Sequence, residues 1–154
     1  MKCATSDTIR YIKRMAQNMI GFDPNYAVLA FMLDLKIPVN PHGFEYLKTA
    51  IILRYENPTM DLANDIYLAI ASTYGNISSE MIAASIRRVI KSSFDRGNVT
   101  RWQLYLPASN LTEDRPPTNA EVIAGLARIV EFWQGCSEAY LRQQYKEVVS
   151  SGSK

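Results

Sequence analysis

Residues 66–98 read IYLAIASTYGNISSEMIAASIRRVIKSSFDRGN. An apolar helix ending at Tyr74 meets a Gly75-Asn76-Ile77 turn, a serine-capped helix follows, and Asp95-Arg96-Gly97 closes it. Two helices joined by so short a glycine turn, the second with arginines outward, are the sequence form of a helix-turn-helix. At about 100° per residue the second helix, Ser79 to Phe94, gathers Ile82, Ile86, Val89, Ile90 and Ser93 on one side. Glu80, Met81, Ala84, Arg87, Arg88 and Lys91 fall on the other. The first side faces a core, and the second is open to a partner.

Outward from this pair the chain is helical throughout. Apolar spacings of three and four recur, and no sustained alternation marks a strand. The expected fold is an all-α, compact helical bundle containing the helix-turn-helix, with extra N- and C-terminal helices. A first helix runs from Ser6 or Asp7 to Ile20 and stops at Gly21, a second covers Tyr26 to Leu35 ahead of Pro38, and a third runs from His42 or Gly43 to about Tyr55. Asn57-Pro58 then reads as a cap with proline at the first helical position, opening the scaffold helix that reaches Tyr74.

Beyond the pair, Trp102 to Leu111 has little regular pattern. Thr118-Asn119-Ala120-Glu121 forms a capping box before the apolar set Val122, Ile123, Leu126, Ile129, Val130 and Trp133. Gly135 is expected to interrupt that helix, a last amphipathic helix follows from Ser137 to Val149, and Ser150 to Lys154 is expected to be a disordered tail.

Composition bounds the class. The 154 residues are 47% hydrophobic and 21% charged, enough for one domain with a real core. The longest apolar run, Ala27 to Leu33, is far short of the roughly 20 residues that cross a bilayer, and Arg10, Lys13 and Arg14 break up any signal-peptide centre. A cytoplasmic protein without membrane contact is expected. Cys3 and Cys136 are far apart and in no C-x-x-C pattern, so reduced thiols are the default. The formal charge of +2 decides nothing by itself. Its distribution says more, since from Met81 to Thr112 the basic residues Arg87, Arg88, Lys91, Arg96 and Arg101 stand against the single acid Asp95.

Chemistry of other kinds finds no foothold. His42, the only histidine, cannot make a zinc site alone and reads as structural. Asp61 and Asp65 read as exposed helix acids rather than a catalytic pair, and Tyr46, Tyr55, Tyr67 and Tyr74 as core or interface. Nucleotide-binding, hydrolase and metalloprotease motifs are missing. The expectation is no enzyme, no cofactor and no metal.

Four blocks then carry a resemblance: KIPVNPHGFEYLKTAI from Lys36, IYLAIASTY from Ile66, SIRRVIKSSFDRGNV from Ser85 and PPTNAEVIAGL from Pro116. In content and order they resemble the C-terminal effector domain of the sporulation initiation response regulator, stage-zero sporulation protein A. The resemblance covers roughly Val28 to Trp133. Residues 1–25 are then an N-terminal helix outside it, 26–134 the effector-like domain, and 135–154 the C-terminal helix and tail.

The resemblance implies a six-helix domain whose fourth helix enters the major groove of double-stranded DNA, bound as a tandem dimer that regulates transcription. Members of the family carry a phosphorylated receiver domain, whereas about 25 residues precede the match here, so a stand-alone effector without that switch is expected. Met81, Ala83 and Ala84 stand where the family has arginine, glutamate and arginine, the types that read guanine and cytosine edges. The turn is one residue longer than the family's.

The expected DNA-contacting set is Ser79, Glu80, Met81, Ala84, Arg87, Arg88, Lys91, Arg96 and Arg101. For the basic members the competing reading is a solvated helix face. The leading function is a DNA-binding transcriptional regulator with altered base-reading residues, its other partners being a second copy or a related sporulation regulator. The alternative is a protein-interaction module that keeps the fold without sequence-specific DNA binding. The helix from Thr118 to Trp133 is the first candidate for a dimer surface, since the resemblance implies it and Trp133 would otherwise need cover.

Overall fold

Asp23 opens the first helix in the computed structural model, which describes residues 23–152. Its Oδ1 accepts from the Asn25 N–H at 3.0 Å, and Pro24 takes the first helical position, where a missing N–H costs nothing. Helix α1 therefore spans Pro24–Asp34, starting ahead of the expected Tyr26. It ends as Lys36 turns left-handed at φ 58°, letting the Lys36 and Ile37 N–H groups reach the Leu33 and Met32 carbonyls. The expected helix from Ser6 to Ile20 lies outside the described residues.

Helix α2, His42–Glu56, is the central element and packs against α1 and three later helices. The scaffold helix does not start at Asn57-Pro58. Asn57 instead closes α2, donating to the Leu53 carbonyl at 2.9 Å. The cap is Asp61, whose Oδ2 accepts from the Asn64 N–H at 2.9 Å while Asp65 Oδ2 accepts from the Asp61 N–H at 2.8 Å. Two otherwise open donors are satisfied there at once, which an Asn57 cap does not offer. A wide turn, Leu62–Ile66, leads directly into α3, Tyr67–Tyr74.

After the glycine turn, α4 spans Ser79–Asp95, with the Ser78 hydroxyl accepting from the Met81 N–H at 3.2 Å. Its buried side is Ile82, Ile86, Val89, Ile90, Ser93 and Phe94, the face expected from the spacing. The Trp102 stretch carries more order than its pattern suggests: α5 spans Val99–Tyr105, followed by a single tighter turn, Pro107–Ser109. Trp102 is fully buried and its Nε1 donates to Ser93 Oγ at 2.9 Å. Ser93 in turn donates to the Leu35 carbonyl, which also receives Asn98 Nδ2 at 2.6 Å. Tertiary hydrogen bonding, invisible to periodicity, holds this short helix in place.

Helix α6, Asn119–Gly152, is continuous over 34 residues, about 51 Å at 1.5 Å per residue. The capping box forms, with the Glu121 N–H on Thr118 Oγ1 at 3.1 Å and the Thr118 N–H on Glu121 Oε1 at 3.2 Å. Gly135 does not interrupt the helix. An interior glycine costs about 1 kcal/mol, small beside the burial of Val130 and Trp133 around it. The helix also runs on through Ser150 to Gly152, where a disordered tail was expected. Trp133 needs no second subunit for cover, since it is fully buried within the chain with its ring 5.0 Å from Phe31 of α1. The six α-helices of the described residues form one packed core, and the expected all-α bundle is what the chain adopts.

Candidate nucleic-acid interface

The turn from α3 into α4 fixes how the outward face is presented. Gly75 takes φ 68° and ψ 161°, and Asn76 follows in the left-handed region at φ 50°. Few residues other than glycine adopt the first of these conformations. Alongside Ser85 and Val89 of α4, Gly43 of α2 sets the depth of docking. A β-carbon there would lie 2.3 Å from the Ser85 carbonyl oxygen, so the α2 and α4 backbones touch as only glycine permits.

A third contact comes from the start of α6. Asn119 Nδ2 donates to the Ala83 carbonyl of α4 at 2.9 Å and to the Tyr67 hydroxyl of α3 at 3.1 Å. Asn119 thus ties both members of the helix pair to α6. Burial raises the Tyr67 pKa, and the Asn119 bond and the nearby Arg87 charge work against that rise.

On the outward face, Met81 is 58% exposed, more than any other large hydrophobic residue among the described residues. Glu80 is exposed in the first turn, where the helix dipole favours negative charge. Ser79 and Ala84 are half-buried, and Arg87, Arg88 and Lys91 are exposed. Successive residues on a helix diverge by about 100°, so Arg87 and Arg88 leave α4 on different flanks. Arg88 shares a cleft with Arg96, whereas Arg87 shares another with Lys91 and the Pro116–Asn119 segment.

The basic residues are not equivalent once their acids are assigned. Lys91 Nζ lies 2.8 Å from Asp95 Oδ2, an exposed i,i+4 pair. Arg101 is carried by α5 and lies 3.9 Å from Asp34 of α1, a carboxylate that also accepts from the Tyr105 hydroxyl at 2.6 Å. Arg88 bonds Ser85 Oγ at 3.2 Å. Arg87, Arg88 and Arg96 have no acidic partner within ion-pair distance among the described residues. The structure therefore brings Arg87, Arg88, Arg96 and Lys91 around one helix and sets Arg101 apart. Gly43, Tyr67 and Asn119, which position that helix, are absent from the expected set although the quoted blocks contain all three.

The arrangement offers positive charge on both flanks of a helix whose first turn exposes Glu80 and Met81. Among the described residues, no group of three His, Cys, Asp or Glu side chains is placed to hold a metal ion, and no helix is long and apolar enough to cross a membrane. Comparison with known proteins agrees with the resemblance read from the blocks. The family described as sporulation initiation factor Spo0A C terminal matches residues 28–130, most of the chain. No curated protein matches it.

Proposed function

The chain belongs to the Spo0A C-terminal family of DNA-binding effector domains, and on that premise we propose that it is a transcriptional regulator whose α4 enters the major groove. The observation that supports this most directly is the set of three arginines on and just after α4, Arg87, Arg88 and Arg96, left without acidic partners among the described residues. Guanidinium groups so placed suit phosphate oxygens. Lys91 contributes less charge because Asp95 answers it.

Base reading differs from the family pattern. Met81 and Ala84 supply no hydrogen-bond donor, so they favour apolar contact with thymine methyl groups over guanine recognition. The regulator binds as a pair of copies on one duplex, which sedimentation of the complex tests by mass. The exposed Met81 side chain also favours a second reading, a protein-interaction module without base readout.

Fluorescence anisotropy with a labelled random-sequence duplex, titrated across salt, separates the two. DNA binding predicts a log affinity that falls linearly with log salt, by about 0.9 for each phosphate neutralised, and three arginine contacts give a slope near −2.7 or steeper. No binding at low salt supports the interaction module instead.

A further inference from the structure

The two flanks of α4 are built differently, and the difference lies outside the helix pair itself. On one flank a cleft of about 560 Å³ opens between α4 and the first turn of α2. Arg88 and Arg96, two helical turns apart, both line it, together with Ser85, Ser92, Pro41 and His42. No acidic residue borders it. The Gly43 approach to Ser85 makes its floor, and the Ser85 hydroxyl holds the Arg88 guanidinium at 3.2 Å. On the other flank a cleft of about 520 Å³ presents Arg87 and the Asp95-paired Lys91. A helix with its side chains is about 10–12 Å across, close to the roughly 12 Å width of the major groove. A helix seated there has one DNA strand on each side.

We propose that Arg88 and Arg96 in this cleft hold two backbone phosphates of one DNA strand, one for each guanidinium, while Arg87 reaches a phosphate of the other. This rests on the DNA-binding reading above and adds to it a strand assignment and a receiving site. The cleft flank bears two guanidinium groups without acids and the opposite flank one, so α4 is gripped unequally. Phosphate contacts of this kind fix orientation and carry no base information. They set the direction in which Met81 and Ala84 meet the groove.

The test uses the full chain and a duplex enriched from random sequence, prepared with native linkages or with uncharged methylphosphonates on one strand or the other. Binding by anisotropy is compared for the wild type, Arg87→Ala and the double variant Arg88→Ala/Arg96→Ala, with thermal melts confirming that each is folded. The double variant is expected to reduce the magnitude of the salt slope by about 1.8, two phosphates' worth, and Arg87→Ala by about 0.9. Neutralising one strand should erase the effect of the double variant and leave that of Arg87→Ala, and neutralising the other should do the reverse. A double variant with the wild-type salt slope overturns the proposal, as does sensitivity of both variants to the same strand. Wild-type protein that binds no duplex at low salt overturns the DNA reading as well, and so marks that failure apart.

Discussion

Gly75 decides how α3 hands the chain to α4. At φ 68° and ψ 161° its backbone lies where a β-carbon is strained, yet no atom lies within 4 Å of where that carbon would sit. The cost of Gly75→Ala is therefore backbone strain alone, about 1–3 kcal/mol, and the expected outcome is a lower Tm in thermal melts with the fold retained. An unchanged Tm would mean that the turn tolerates another conformation. This glycine is legible in the sequence because it follows an apolar helix and precedes a serine cap. Lys36, left-handed at φ 58° without being glycine, is not, since only the tertiary seating of Ile37 calls for it. Asn119 is half legible: its place in the capping box is local, whereas its bonds to Tyr67 and Ala83 span 52 and 36 residues of chain.

Among the elements, the start of α6 is the most fully legible, and it carries a pH signature. Burial raises the Glu121 pKa, but bonds from the Ser109 hydroxyl and from the Thr118 N–H and hydroxyl, with the Arg115 charge, outweigh it and hold the carboxyl below its ordinary value. A carboxyl with a lowered folded pKa contributes stability in full above its unfolded pKa, about 4.3, and loses it as pH falls through the folded value. Glu121→Gln should therefore melt below the wild type at neutral pH, with the gap closing as pH drops through the acid range. A gap independent of pH would show that the charge at Glu121 contributes nothing. Helix α5 escapes the sequence because seven residues are too few for a period, and Trp102 is held by Ser93 from another helix. The start of the scaffold region is misplaced at Asn57-Pro58 because two plausible caps lie close together. Only the bonds of Asp61, whose Oδ2 accepts from the Asn64 N–H while its own N–H donates to Asp65 Oδ2, decide between them.

For the whole molecule, the helix-turn-helix and its outward face are written in residues 66–98, where periodicity and turn chemistry agree. The distribution of charge on that face is only partly so. The Lys91–Asp95 pair is visible as an i,i+4 spacing, but the pairing of Arg101 with Asp34 depends on α1 meeting α5, and the Arg88–Arg96 cleft on α2 meeting α4 at Gly43. Trp133, which the sequence offers as a dimer contact, is claimed by Phe31 inside the same chain. The central claim is that α4 docks into DNA through the surface around Ala84. Ala84→Glu places a carboxylate there while adding a Glu to Arg88 i,i+4 pair that favours the helix, so the fold is kept. Anisotropy of this variant against the wild type, on one labelled duplex at low salt, tests the docking most directly. At least a tenfold loss of affinity is predicted, and unchanged affinity would contradict the account.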